Sequence, residues 1–255
     1  MGFLGFADGA PIVVTGAGSG IGRATALGAA ADGLHVAAWD LVADTAAATA
    51  KAITDSGGRA ISVGVDATDE AAVKEAWRRT VDELGSVSLL ANIAGPPNWA
   101  DLEFVDGVAA CLRCARVPTE AWLELVPGDQ RSTIFIASVA GTRYGMQGWY
   151  GVGKMGIVGY MRSLAAFRPG GIRANAIAPD LTDTPRVGGL VESMGDVASR
   201  VNPMGRIAQP LDVANAALFL LSPAASYING VTLDVDGGVN LISRDRKSTR
   251  LNSSH

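Results

Sequence analysis

Short apolar runs alternate along this chain with longer, alanine-rich or amphipathic segments. The runs are four to six residues long and rich in β-branched residues, which is typical of buried strands, whereas the longer segments have the composition of packed helices. The pattern predicts strands over 11–15, 34–39, 60–65, 88–93, 132–137, 172–177 and 232–235, and helices over 21–31, 45–56, 70–84, 149–167 and 210–221. Because strands that alternate with helices form parallel sheets covered on both faces, we expect an α/β fold with a doubly wound parallel sheet in three layers, α/β/α.

Composition and charge favour one large domain. The 255 residues are 48% hydrophobic and 18% charged, which is enough for a well-buried core. Neither an internal repeat nor an interdomain linker is visible, so residues 1–243 are predicted to form a single domain. The net charge is −4 and no dense Lys/Arg run precedes the last dozen residues, which argues against nucleic acid as a partner.

The two ends of the chain differ from the rest in composition. Residues 1–10 lack the basic and apolar regions of a secretory signal, and no stretch reaches the roughly 20 apolar residues that span a bilayer. We therefore expect a cytoplasmic protein with no membrane partner. Residues 244–255 (RDRKSTRLNSSH) are polar and aperiodic, and we expect them to be a disordered tail that is not native to the domain.

Cys111 and Cys114 are the two cysteines of the chain. Their spacing resembles half of a zinc or redox site, but a zinc site normally needs four ligands. The two histidines, His35 and His255, stand in an apolar run and at the chain end. We expect no metal site and interpret both cysteines as small, buried helix residues.

A glycine-rich turn, residues 15–22 (TGAGSGIG), lies between the first predicted strand and the first predicted helix. Glycines at this junction permit a tight turn and let the backbone approach a pyrophosphate. The helix N-terminus then offers free N–H groups and the positive end of its dipole to that anion. A structural turn with no ligand is the alternative, but the position between strand and helix favours a dinucleotide.

Asp40 ends the second predicted strand, about 20 residues beyond the glycine-rich turn, where an acidic side chain reaches the adenosine ribose hydroxyls. A carboxylate there repels a 2′-phosphate, and neither Leu41 nor the turn residues Ala17 and Ser19 supply a cation that would attract one. Asp40 therefore predicts NAD as the cofactor. The alternative is a solvated aspartate at a strand end.

Tyr150 and Lys154 stand four residues apart in a predicted helix, so both side chains lie on one face. An ammonium group beside a phenol favours the phenolate, which makes the phenol a usable acid or base. Ser138 follows a strand that would abut this helix, where its hydroxyl could bind a substrate oxygen. A Tyr-x-x-x-Lys spacing is common by chance. For this pair taken alone, the alternative is therefore a tyrosine that packs in the core and a lysine that is exposed at the surface.

Taken together, these motifs resemble the short-chain dehydrogenase/reductase family across roughly residues 8–243. Their order and spacing match in TGAGSGIG, Asn92 to Gly95 (NIAG), Ser138, YGVGK at 150–154, IRANAIAP at 172–179, PMGR at 203–206 and DVDGG at 234–238. The resemblance implies a single Rossmann-type domain and an NAD-dependent oxidoreductase that transfers a hydride between the cofactor and a secondary alcohol or ketone. It also implies a homotetramer or homodimer.

The resemblance also implies roles for individual residues. Tyr150 would be the general acid/base, Ser138 would orient the substrate oxygen, and Lys154 would bind the nicotinamide ribose. Asp66 would contact the adenine and Thr184 the nicotinamide carboxamide. The residues expected at the cofactor are Gly16, Ser19, Gly20, Ile21, Gly22, Asp40, Asp66, Asn92, Gly95, Tyr150, Lys154, Pro179 and Thr184.

Several positions depart from the family pattern. Cys111 stands where the family usually has an Asn, and Pro118 falls where a continuous helix is expected, which costs about 3 kcal/mol in a helix interior. Segment 96–130 matches poorly throughout, YGVGK replaces the commoner Tyr-Ser-Ala-Ser-Lys, and Pro179-Asp180 replaces Pro-Gly. These departures keep open a catalytically impaired homologue that binds cofactor and acts as a regulatory protein.

The substrate is less constrained than the reaction. The resemblance implies that segment 181–203 is the family's substrate-covering loop. Its apolar residues favour an apolar or alicyclic small molecule, although such residues are more often simply core. Trp99, Met146 and Trp149 could add apolar walls, whereas Arg143 and Arg186 could meet an anionic group or remain solvated. Another Rossmann chemistry, such as methyl transfer, has no use for the Tyr150 and Lys154 pair.

Overall fold

The computed structural model describes residues 4–98, 100–128, 130–142, 148–167 and 171–242. Seven parallel strands form one sheet in the order β3-β2-β1-β4-β5-β6-β7. The strands are β1 Pro11–Thr15, β2 His35–Asp40, β3 Ala60–Gly64, β4 Leu89–Asn92, β5 Ser132–Ile136, β6 Arg173–Pro179 and β7 Thr232–Val235. The strand order reverses between β1 and β4, as in doubly wound dinucleotide-binding sheets. The predicted Rossmann-type fold is confirmed.

Helices cover both faces of this sheet. They are α1 Gly20–Ala31, α2 Ala43–Asp55, α3 Glu70–Leu84, α4 Phe104–Leu125, α5 Val139–Thr142, α6 Trp149–Phe167, α7 Gly188–Val201 and α8 Pro210–Leu221. Three short 3-10 turns, Pro185–Val187, Pro223–Ala225 and Val239–Leu241, complete the fold. The apolar pattern predicted five of the helices and missed α4, α5 and α7. No helix among the described residues is long and apolar enough to cross a membrane.

The core is divided by the sheet into two layers. One layer packs α1, α2 and α8 against the sheet around Val14, Ile53 and Leu218. The other packs α3, α4 and α6 on the opposite face. In this second layer the indole ring of Trp77 lies 4.8 Å from that of Trp39 and 6.3 Å from that of Trp122, measured between ring centroids. Large buried aromatic side chains of this kind contribute much of the apolar area that stabilises a domain.

Pro118 does not interrupt the helix that contains it. Helix α4 runs continuously past this residue from Phe104 to Leu125, as the family pattern implies for this segment. The proline has no N–H with which to donate to the Cys114 carbonyl, but its own carbonyl accepts the Trp77 indole N–H at 2.9 Å. One residue later, the Thr119 hydroxyl donates to the Ala115 carbonyl at 2.8 Å. Burial between α3 and the sheet thus offsets the local cost of proline.

Arg173 joins the start of β6 to the end of α8. Its guanidinium donates to the carbonyls of Leu220 at 2.7 Å, Leu221 at 2.9 Å and Ser222 at 3.0 Å. Because the last carbonyls of a helix have no partner within the helix, this cation caps the C-terminus of α8 and complements its dipole. Partial burial lowers the pKa of Arg173 from its ordinary value, which still leaves the side chain charged at neutral pH.

Candidate active site

The glycine-rich turn lies where β1 and β4 end side by side. The Thr15 hydroxyl oxygen accepts the backbone N–H groups of Ile93 at 3.0 Å and Ala94 at 3.1 Å, which binds the turn to the segment after β4. Gly16 has a φ of +68°, and a Cβ on it would lie 3.0 Å from the Ala94 nitrogen. This close approach requires glycine because a side chain would meet backbone that cannot move aside.

The start of α1 fits a phosphate group. Gly20 has a φ of +50°, and Gly22 packs so closely on the Gly16 carbonyl that a Cβ would overlap it. Ser19 precedes the helix and makes no side-chain cap bond. The first-turn N–H groups at Gly20, Ile21 and Gly22 have no acceptor within the helix. The residues predicted to contact the pyrophosphate therefore form one cradle of donors, to which a dinucleotide would present its phosphates.

Asp40 lies directly beside this turn. Its Oδ2 accepts the Gly18 N–H at 2.8 Å and its Oδ1 accepts the Val42 N–H at 3.0 Å. The Thr45 hydroxyl lies 3.3 Å from the same Oδ1 and donates to the Val42 carbonyl at 2.8 Å. The carboxylate is thus held against the turn rather than left as a solvated strand end.

Two further predicted cofactor residues follow β3 and end β4. Asp66 accepts both the N–H and the hydroxyl of Thr68 at 2.8 Å on Oδ1. Asn92 is buried, and its amide nitrogen donates to the hydroxyls of Thr119 at 3.0 Å and Thr133 at 3.1 Å. The Asn92 side chain is therefore engaged inside the fold, where it holds β4 to β5 and α4 just before the turn that ends at Gly95.

Lys154 is the central charged group of the site. Its side chain is only 4% exposed, and its Nζ donates to the Ile136 carbonyl at 2.8 Å at the end of β5. The same Nζ lies 5.5 Å from the centroid of the Tyr150 ring and would be 3.7 Å from a Cβ on Gly95. The ammonium group is thus placed between the phenol and the segment that follows β4.

Ser138 stands two residues beyond the carbonyl that Lys154 binds. Its hydroxyl oxygen accepts the Ala140 N–H at 3.2 Å, and its carbonyl accepts the Gly141 N–H at 2.9 Å, so it opens α5. Gly141 in turn packs against α6, where a Cβ would lie 2.9 Å from the Lys154 Cβ. The structure therefore brings the β5 end that carries Ser138 against the helix that carries Tyr150 and Lys154.

The segment after β6 covers the turn from above. Pro179 is buried at the end of β6, and a Cβ on Gly20 would lie 2.9 Å from the Thr184 methyl carbon. The base of this segment is clamped where the Asp183 N–H donates to the Ala208 carbonyl at 2.8 Å. Thr184 is thus placed over the N-terminal end of α1.

Sequence reasoning gave no site role to Thr15, Thr45 or the Ile136 carbonyl. No sequence spacing identifies a threonine hydroxyl that accepts N–H groups from the end of another strand. The same is true of a backbone carbonyl that accepts a hydrogen bond from a lysine ammonium group. Trp149 packs against Gly107 in the contact between α4 and α6, and its role as a substrate wall stays a prediction. Trp99, Met146 and Arg143 lie outside the described residues, as do the predicted tail residues 244–255.

Both cysteines are buried on α4 near Lys154. Burial raises the pKa of the Cys114 thiol to about 11 and also raises the pKa of Cys111, so both are neutral thiols at pH 7. Among the described residues, no three His, Cys, Asp or Glu side chains come close enough to hold a metal ion.

Another concavity lies at the opposite end of the sheet. It measures about 390 Å³ and includes Asp8, His35 and Arg59 in its lining. The Arg59 guanidinium donates to the Glu83 carbonyl at 2.7 Å, and the His35 ring packs beside Gly9. Because ligands of open α/β sheets bind at the carboxyl ends of the strands, this amino-end concavity is not the candidate site.

These features define an enzyme of the dinucleotide-binding α/β class. A sequence profile for a family described as enoyl-(acyl carrier protein) reductase matches residues 16–240. The chain belongs to the short-chain dehydrogenase/reductase family. It is an oxidoreductase of that family, whose members bind a nicotinamide cofactor and act on small molecules.

Named relatives cover nearly the whole domain. The chain is 36% identical over 246 residues to cis-4-hydroxycyclohexanecarboxylate dehydrogenase of Sinomonas cyclohexanicum, covering 90% of this chain and 96% of the relative. It is 34% identical over 256 residues to D-threitol dehydrogenase of Mycolicibacterium smegmatis, covering 92% and 94%. A crystal structure from Beutenbergia cavernae, provisionally assigned as an NAD(P)-dependent gluconate 5-dehydrogenase with NADP at low occupancy, matches with a TM-score of 0.85 and 32% identity, covering 94% and 100%.

Proposed function

We propose that this protein is an NAD(H)-dependent oxidoreductase that interconverts a secondary alcohol and a ketone, with Tyr150 as general acid/base. The observation that carries the proposal is the buried Lys154 ammonium, held by the Ile136 carbonyl at 2.8 Å with the Tyr150 ring 5.5 Å away. A nearby cation favours an ionised phenol, which is the form that accepts a proton from an alcohol.

Each residue then has one task. The bound nicotinamide supplies or accepts the hydride. The Tyr150 hydroxyl exchanges a proton with the substrate oxygen, while the Ser138 hydroxyl donates a hydrogen bond to that oxygen. Lys154 retains N–H donors beyond the one given to Ile136, and these would hold the nicotinamide ribose.

NAD is the proposed cofactor because Asp40 lies at the glycine-rich turn. Its carboxylate, fixed by the Gly18 and Val42 N–H groups, would accept the ribose hydroxyls and repel a 2′-phosphate. The Beutenbergia relative has NADP bound at low occupancy, so we expect the choice between NAD and NADP to depend on local residues such as Asp40.

An alicyclic secondary alcohol is the proposed substrate class. The name of the Sinomonas relative, a dehydrogenase of a hydroxycyclohexanecarboxylate, supports a ring-shaped alcohol, whereas the threitol relative supports a linear polyol. The half-buried Val187 in the segment that covers the turn favours the apolar ring. The cytoplasmic location remains a prediction.

A homotetramer or homodimer is proposed on the outer face of α4 and α6. Val105 is 75% exposed and Met155 59% exposed, with Phe104 and Val152 also exposed nearby in sequence. Gly153 and Gly156 of α6 pack within the subunit against Cys111 and Leu112 and lie outside this surface. Sedimentation velocity at micromolar concentration tests this assembly, and a single monomer boundary would reject it.

Turnover with matched variants tests the function. A panel of cyclic and linear alcohols is assayed with NAD and with NADP by absorbance of the reduced nicotinamide. Tyr150→Phe is expected to abolish turnover and leave NADH binding nearly intact, whereas Tyr227→Phe, at a fully exposed tyrosine, should change neither. Activity of Tyr150→Phe within about tenfold of the wild type would sink the assignment. NADH binding without any turnover would favour the catalytically impaired homologue.

A further inference from the structure

Two residues at which the chain departs from its family touch each other in the structure. Cys111 stands where the family usually has Asn, and Gly153 stands in YGVGK where Ser is commoner. A Cβ on Gly153 would lie 2.7 Å from the Cys111 Cβ and 2.9 Å from its Sγ, closer than real side-chain carbons approach. The interface between α4 and α6 therefore has no room for one more carbon atom at this point.

Similar glycine contacts occur on both sides of this one. Gly107 of α4 packs under the Trp149 ring, and a Cβ on it would overlap that ring. One turn beyond Gly153, Gly156 faces Leu112, where a Cβ would lie 3.1 Å from the flexible end of the leucine. The contacts at Trp149 and Gly153 each immediately precede a proposed reacting residue, whereas the Gly156 contact does not.

Lys154 is confined from the opposite side as well. A Cβ on Gly141 of α5 would lie 2.7 Å from the Met155 nitrogen and 2.9 Å from the Lys154 Cβ. The backbone of α6 at Lys154 is thus held between Cys111 on one side and α5 on the other. Close packing against α5 at Gly141 therefore limits how far α6 can shift to relieve crowding at Gly153.

We propose that Cys111 and Gly153 form a matched pair that sets the depth of Lys154, and that Cys111 is a positioning residue for the reaction. The inference rests on the proposed function, because it gives the Lys154 charge the task of promoting ionisation of Tyr150. Crowding between Cys111 and residue 153 would move the ammonium away from the phenol or from the Ile136 carbonyl.

The charges around Lys154 support this reading. Tyr150 faces it from the same helix, and Cys111 and Cys114 face it from α4. Both thiols are neutral at pH 7 because burial raises the pKa of each. The thiols therefore act on Lys154 through their volume rather than through charge.

The test uses four variants of the full chain. Gly153→Ala adds the crowding carbon, and C111G/G153A moves the carbon from one helix to the other. Gly156→Ala crowds the same two helices one turn away from Lys154, and Gly159→Ala, with no atom within 4 Å, controls for helix propensity. Phenolate formation at residue 150 is measured as the absorbance difference between each protein and the same protein carrying Tyr150→Phe, alongside the pH profile of kcat.

Gly153→Ala is expected to raise the midpoint of phenolate formation by at least about half a pH unit and to lower kcat about tenfold. C111G/G153A should restore both the midpoint of phenolate formation and kcat. In Gly156→Ala and in Gly159→Ala the midpoint should stay at its wild-type value. An unmoved midpoint in folded Gly153→Ala, or no recovery in the double variant, overturns the inference. Should Gly153→Ala not fold, Cys111→Val must produce the same rise from the α4 side.

The spectroscopic readout needs no turnover, so the two proposals fail separately. If the wild type shows no nicotinamide turnover, while the midpoint shifts in Gly153→Ala and recovers in C111G/G153A, the proposed function is overturned and the matched pair is retained. If the wild type turns over nicotinamide but the midpoint does not move in Gly153→Ala, the proposed function is retained and the matched pair is overturned.

Discussion

The backbone N–H of Gly18 donates to the carboxylate of Asp40 at 2.8 Å, across 22 residues of sequence. This hydrogen bond joins the turn after β1 to the end of β2. A Cβ on Gly18 would lie 2.8 Å from the same carboxylate oxygen and would clash with Thr45, so the turn and the acidic residue fit each other closely. The charge that would face the adenosine ribose is therefore fixed before any cofactor binds.

NAD should be preferred over NADP by tens to hundreds of fold in kcat/KM. A like-charge contact together with lost ribose hydrogen bonds is worth a few kcal/mol, and about 1.4 kcal/mol is a factor of ten. Asp40→Ser combined with Leu41→Arg should shift the ratio toward NADP because it removes the repulsion and adds a cation. Steady-state kinetics with both cofactors measure the ratio, and equal use of both by the wild type would contradict the ribose assignment.

Gly20→Ala should weaken NADH binding at least about tenfold, because alanine is strained at a φ of +50° and its Cβ would meet the Thr184 methyl. Gly57→Ala is the matched control, since Gly57 has a φ of +88° but no atom within 4 Å of its Cβ. Fluorescence titration with NADH gives the affinity and thermal melting gives the stability. Equal losses of affinity in the two variants would show that strain alone, and not the cradle, is responsible.

Arg173→Ala should lower the free energy of unfolding by about 2–4 kcal/mol, because buried carbonyls at the end of α8 lose charged donors. Arg78→Ala, which removes an exposed i,i+3 ion pair with Glu75, should cost less than about 0.5 kcal/mol. Urea unfolding of the two variants and the wild type measures both changes. Similar costs would mean that the Arg173 cap contributes no more than a surface pair.

Stability should fall as the pH rises from about 9 toward 11, in part through Cys114. Its pKa is raised from 9.0 to about 11 in the folded protein, so in this window the unfolded chain releases a proton that the folded chain retains. The unfolded state then binds fewer protons, and the thiol contributes a loss of roughly 1.4 kcal/mol per pH unit. Cys114→Ala should flatten this part of the profile in urea unfolding experiments; an unchanged slope would assign the loss to other groups.

The sequence predicted the strands and the position of the glycine-rich turn well because both are local. Apolar runs located all seven strands, and the glycine-rich turn and Asp40 fall where strand ends place them. Helix α4 was missed because its surroundings outweigh Pro118, whose carbonyl receives the Trp77 indole N–H from another helix. The contact between Cys111 and Gly153 depends on the distance between two helix axes, which no spacing within either helix encodes.

The Thr15 hydroxyl has a consequence for the order of folding. It receives the N–H of Ile93, 78 residues later, so the glycine-rich turn is completed only when β4 has paired with β1. Contacts of such sequence separation form slowly because a long loop must close first. The cofactor cradle needs nothing beyond this first half of the sheet, whereas Lys154 waits for β5 and α6. A nascent chain would therefore form the part of the site proposed for the phosphates and the adenosine before the part proposed for the nicotinamide.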